Sequence, residues 1–150
     1  MAMQIRSPAF VDGSTMPRKF TRDGDNHSPP LEWSGAPERT KSFVVTMEDP
    51  DAPSGTFRHW AVYDLAPDTS ALAEAAAAAG GEGVNDFGRR GYDGPEPPRG
   101  HGLHHYHIRV AALDVDHLPV RPSARVDEVW TAARPHVLDE AEIVGTYMRG

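Results

Sequence analysis

The sequence predicts a mostly β protein forming one domain over residues 1–150. Three observations carry that reading. Fourteen Gly and fourteen Pro fall in punctuated clusters, the mark of many turns joining short strands. Between the clusters lie short runs rich in β-branched and aromatic residues. A length of 150 residues suits a single hydrophobic core.

In chain order, the first run is Ser42-Phe43-Val44-Val45-Thr46-Met47, read as a strand. The second covers residues 59–65. Simple alternation puts His59, Ala61, Tyr63 and Leu65 on one face, with Trp60 and Val62 on the other. An alanine-rich stretch follows at 75–79. Asp68, Thr69 or Ser70 caps a short helix there and Gly80 ends it. The third strand covers 106–113 and is bounded by a Gly/Pro-rich loop. In the last third, Ser123 is read as the cap of a helix running to about Ala133. Val126, Val129 and Trp130 share one of its faces. Pro135 breaks it. A second helix is expected at 136–142, and 143–148 reads as a last strand.

Composition excludes several function classes. A net charge of −7 argues against neutralising a row of phosphates, so no nucleic-acid partner is expected. There are no cysteines, which removes disulfides and thiolate metal sites. No apolar run approaches the length of a membrane span. The first eight residues lack the apolar stretch of a secretory signal, and the cytoplasm is the expected compartment.

Three segments carry polar groups suited to chemistry. Asp49-Pro50-Asp51-Ala52-Pro53 follows a hydrophobic strand, and its prolines stiffen a turn that can aim a carboxylate. His59 opens the next strand. The loop from Gly91 to His107 is rich in Gly and Pro and runs straight into a strand bearing histidines. Its glycines let backbone N–H groups approach a ligand. Alternation puts His104 and Tyr106 on one face and His105 and His107 on the other. Asp49, His59, His104 and Tyr106 are expected to meet at one end of a sheet. Two imidazoles and a phenol supply hydrogen-bond donors, and a carboxylate orients one imidazole. Such a pocket suits a phosphate monoester.

These residues resemble the phosphatidylethanolamine-binding protein family, in its short bacterial and archaeal Raf-kinase-inhibitor-like branch. The resemblance rests on the motif Asp49-Pro50-Asp51-Ala52-Pro53 with Gly55, Phe57 and His59-Trp60. It rests equally on Gly91-Tyr92-Asp93-Gly94-Pro95, Pro97-Pro98-Arg99-Gly100 and His104-His105-Tyr106. Asn26-His27-Ser28-Pro29-Pro30-Leu31-Glu32-Trp33, His136-Val137-Leu138 and Gly145-Thr146-Tyr147 extend it along nearly the whole chain. The resemblance implies a Greek-key β-fold with a large central antiparallel sheet, a smaller sheet and short peripheral helices. It implies a ligand pocket built from Asp49, Asp51, His59, Gly94, Pro95, His104 and Tyr106. It also implies cis bonds at Pro50 or Pro53, and a homodimer. The loop between Pro53 and His59 is shorter than in eukaryotic members, so their lipid and kinase roles are not expected to carry over.

The leading expectation is a protein that binds a small anion, a phosphate or phosphoryl headgroup, and regulates or inhibits a kinase or protease. It is not expected to be an enzyme or to need a cofactor. Two other readings stand beside it. One is a metal-dependent hydrolase with Asp49, His59 and His104 as zinc ligands by type. The other is a structural or interaction protein with an incidental pocket. His101, His105, His107, His117 and His136 are read as surface or strand-face residues.

Overall fold

The computed structural model describes residues 2–76 and 80–150. Among these residues eight strands and one α-helix follow in order, besides two 3-10 turns at Arg18–Phe20 and Arg134–His136: β1 (Gln4–Arg6), β2 (Leu31–Ser34), β3 (Ser42–Asp49), β4 (Phe57–Leu65), β5 (Ala71–Leu72), β6 (Gly81–Glu82), β7 (His104–Leu113), α1 (Val126–Ala133) and β8 (Val137–Tyr147). The larger sheet has the order β6-β4-β3-β7-β8 and the smaller one β1-β2-β5. All their pairings are antiparallel. The chain is therefore mostly β, with a large and a small sheet as the sequence predicts, and with one short peripheral α-helix among the described residues where several were expected.

The large sheet is covered on both faces. Phe43, Val45 and Met47 of β3, with Trp60 and Val62 of β4 and Tyr106, Ile108 and Val110 of β7, meet Leu31 and Trp33 of the small sheet. On the other face Val44, Ala61, Tyr63, Ala111 and Leu113 meet Val126, Val129 and Ala133 of α1. Two covered faces explain why β3 reads as a continuous apolar run instead of an alternating one.

Strand β4 departs twice from simple alternation. Its pairing with β3 steps from Val45↔Val62 to Phe43↔Leu65. The extra residue includes Asp64 at φ 59, whose carboxylate accepts the Leu118 N–H at 2.9 Å. Leu65 thus joins the face of Trp60 and Val62 instead of the one expected for it. At the other end the pairing steps from Met47↔Trp60 to Glu48↔Arg58, so His59 is an unpaired, extra residue. An added residue bends the strand and re-aims its side chains.

Three helix expectations are corrected. The segment before the alanine stretch is not helical. Ala71 and Leu72 pair with Glu32 and Leu31, and Ala75 has a positive φ of 55. Residues 77–79 lie outside the described residues. Helix α1 starts at Val126, with Arg125 and not Ser123 at its cap, and Glu128 accepts the Arg125 N–H at 3.1 Å. Residues 137–142 belong to β8. There Ala141, Ile143 and Tyr147 lie against the core in strand alternation, and pairing with β7 satisfies the backbone. No peptide bond is cis among the described residues, so Pro50 and Pro53 follow trans bonds.

Residues 13–16 run along the outer edge of β8. Gly13 N–H donates to Val144 O at 2.7 Å, Thr146 N–H to Ser14 O at 2.9 Å and Met16 N–H to Thr146 O at 2.8 Å. Gly145, opposite Tyr106, leaves room beneath this strip. A side chain there would run into Met16 and Phe10. Gly145→Val therefore overpacks the core and is expected to lower stability by about 1–3 kcal/mol, read as a reduced urea midpoint.

Candidate functional site

The turn after β3 is fixed by its own sequence. Asp49 is 3 % exposed, and its Oδ1 accepts the Asp51 N–H at 2.8 Å, closing a side-chain-to-backbone turn around Pro50. The other oxygen, Oδ2, accepts from His104 Nδ1 at 2.6 Å. Asp51 Oδ2 accepts both the backbone N–H and the Nδ1–H of His105, each at 2.8 Å. The hydrogen bond from the His105 ring holds the Asp51 carboxyl below its usual range. Two carboxylates two residues apart thus grip two consecutive histidines from opposite faces of β7. This is the chemical content of the Asp49-Pro50-Asp51 motif.

His104 is buried and has both ring nitrogens engaged. Nδ1 faces Asp49, and Nε2 lies 2.7 Å from Nδ1 of His101. His101 sits exposed on the loop between Gly100 and Gly102. Sequence reasoning assigned it to the surface. The His-x-x-His spacing was the available signal, but a loop gives no periodicity with which to read it.

The extra residue in β4 carries His59 to the same side as Tyr106. Their rings meet edge-on with centres 5.4 Å apart, and Phe57 and Phe87 close the other sides of the imidazole. His59 Nδ1 lies 2.7 Å from the Asp93 carbonyl oxygen. A carbonyl only accepts, so Nδ1 carries the proton. Burial holds the pKa of His59 below the 6.5 of a free imidazole, opposed in part by that hydrogen bond and by Asp49.

Asp93 is the hub that positions the loop. It is fully buried. Oδ1 accepts from Arg22 at 2.9 Å, Asn26 at 2.9 Å and Arg89 at 3.2 Å, and Oδ2 from Asn85 at 2.8 Å. Neither Arg22 nor Asn85 was singled out from the sequence: Arg22 lies 71 residues from Asp93, and Asn85, only 8 residues away, sits in a loop without periodicity. The Arg22 guanidinium also lies 4.2 Å from the Phe87 ring centre.

These elements enclose a cavity of about 250 Å³. Asp49, His59, His104 and Tyr106 all line it, so four of the expected residues converge. Phe57, Phe87, Pro53, Pro97 and Pro98 form apolar walls, and Glu96 and Ser54 add polar groups. Asp51, Gly94 and Pro95 do not line it. The Gly94 N–H donates to Asn26 Oδ1 at 2.7 Å, and the Pro95 carbonyl accepts from Arg22 N–H at 3.0 Å. A side chain at Gly94 would meet the Phe20 carbonyl, so Gly94 serves close backbone packing. Among the described residues the Tyr106 hydroxyl is buried with no hydrogen-bond partner. Burial, and then Asp49, push its pKa up, so it remains a phenol donor. No group of three or more His, Asp or Glu is placed to hold a metal among the described residues.

Comparisons with known proteins give a consistent family. The family model described as phosphatidylethanolamine-binding protein matches residues 6–148. A UPF0098 protein of Aquifex aeolicus is 44% identical over 98% of this chain and 89% of its own length. The solved structure of E. coli YbcL, described as a new member of the mammalian PEBP family, superposes with a TM-score of 0.94. It is 32% identical, with 100% of each chain covered. The homolog CT736 of Chlamydia trachomatis gives a TM-score of 0.91 at 38% identity, with 99% of each chain covered. No helix among the described residues is long and apolar enough to cross a membrane.

Two outcomes follow from the buried polar groups. Asp93→Ala removes the carboxylate that Arg22, Asn26, Asn85 and Arg89 share and is expected to cost about 3–5 kcal/mol in urea denaturation. For His59 the folded pKa lies below the unfolded one, so the unfolded chain takes up the proton first as pH falls. The stability supplied by the neutral ring is complete above pH 6.5 and is lost as pH drops through the folded pKa. His59→Gln is expected to flatten that acid limb when urea midpoints are compared from about pH 7.5 down to about pH 4.5.

Proposed function

The chain belongs to the phosphatidylethanolamine-binding protein family, and from that premise we propose that its cavity binds a phosphoryl group, either free or as part of a headgroup. The observation that carries this reading is the Tyr106 hydroxyl, buried at the cavity without a partner. A buried donor left unmade costs about 1–3 kcal/mol, and a ligand oxygen that accepts from it recovers that cost. Apolar walls from Phe57, Phe87, Pro53, Pro97 and Pro98 exclude water and strengthen the few polar contacts a ligand makes. Prolines on both rims reduce the ordering lost on binding.

The reading is of a binder and not of a catalyst. Among the described residues Ser54, the serine lining the cavity, makes no hydrogen bond to a histidine, and both nitrogens of His104 are held by protein groups. An activated nucleophile needs a base within hydrogen-bond reach.

Isothermal titration calorimetry with inorganic phosphate and O-phosphorylethanolamine tests the proposal. Weak, saturable binding is expected. Tyr106→Phe removes one oxygen and keeps the ring. It is expected to weaken binding about tenfold, the equivalent of about 1.4 kcal/mol, while leaving thermal stability equal or raised. Absence of heat with both ligands on the folded wild-type protein sinks the proposal.

A further inference from the structure

Building on that reading, we propose that the cavity takes its phosphoryl ligand in the protonated, monoanionic form, with the P–OH group donating to Nε2 of His59. The argument starts from the tautomer. His59 Nδ1–H is committed to the Asp93 carbonyl at 2.7 Å. In the neutral ring, Nε2 is then a bare lone pair that can only accept. Among the described residues Nε2 has no partner, and His59 lines the cavity.

The charged groups around the ring point the same way. Asp49 approaches from β3, and His104 and Tyr106 from β7. Asp86 and Asp93 approach from the segment after β6, and Glu96 from the rim. The carboxylates favour a protonated ring, but burial at 3 % exposure outweighs them and lowers its pKa below 6.5, so the ring is mainly neutral above that pH. Among the described residues no Lys or Arg lines the cavity, whereas Asp49 and Glu96 do, Glu96 with Arg22 Nε at 3.4 Å beside it. A dianion would face these carboxylates with the Tyr106 phenol as its clearest donor, and like charges at short range repel strongly where water is excluded.

A monoprotonated phosphoryl group resolves both conflicts. It carries one negative charge instead of two. Its hydroxyl donates to His59 Nε2, and one of its other oxygens accepts from Tyr106. The donor and acceptor of the cavity are thereby both used, with no ionised protein group having to shed its partner. A phosphodiester carries the same single charge but has no P–OH, so it offers His59 nothing.

Methyl phosphate and dimethyl phosphate separate these possibilities on the wild-type protein. Calorimetry between about pH 5 and pH 8 is expected to show methyl phosphate affinity falling about tenfold per pH unit above the ester's second pKa of about 6. Dimethyl phosphate is expected to bind at least about tenfold more weakly at about pH 6, by loss of one charge-assisted hydrogen bond. Nitrogen-15 spectra of histidine-labelled protein are expected to show His59 as the Nδ1–H tautomer in the complex, with Nε2 accepting. Equal binding of the diester overturns this inference and leaves the phosphoryl reading standing. So does an affinity that stays flat or rises to pH 8, or a His59 protonated on both nitrogens. No binding of methyl phosphate at any pH overturns both.

Discussion

Between Met47 and Glu48, the pairing of β3 with β4 has one residue too many on β4, and that residue is His59. Without it, alternation would leave this imidazole on the helix-covered face with Ala61 and Tyr63. With it, the ring turns toward Tyr106 and the cavity. A sheet face has a strict two-residue period, so only a break in the period can move one side chain across while its neighbours stay. The cavity depends on this local irregularity inside an otherwise regular, well-buried sheet.

The second support is electrostatic. Asp93 is a fully buried carboxylate, a placement that is costly unless its lone pairs are filled. Here the donors come from Arg22 and Asn26 near the N-terminus, and from Asn85 and Arg89 just ahead of it. Its backbone carbonyl meanwhile fixes the tautomer of His59. One residue therefore fastens the loop to the N-terminal segment and sets which nitrogen His59 presents to the cavity.

Much of this was legible in the sequence, and the exceptions have physical reasons. The central strands were readable because β-branched runs bounded by Gly and Pro have few other solutions. The convergence of Asp49, His59, His104 and Tyr106 was readable through the family motifs. The face of His59 was not, since a bulge leaves no mark in alternation. The alanine-rich stretch promised a helix, yet pairing of Ala71 and Leu72 with β2 overrides local propensity just before it. Residues 137–142 carry a pattern that suits helix or strand, and partnership with β7 decides. Gly94 was assigned to a ligand, whereas its N–H is taken by Asn26. The sequence marks it as a glycine that matters but not what approaches it.

Asp49, His104 and His101 form an unbroken file of hydrogen-bonded groups, with contacts of 2.6 and 2.7 Å. It begins at a carboxylate that is 3 % exposed and ends on an exposed loop. In a neutral His104 the Nδ1–H goes to Asp49, which leaves Nε2 as an acceptor, so Nδ1 of His101 has to donate. A carboxylate in the interior thus sets, through one intervening ring, which nitrogen a surface imidazole presents to solvent.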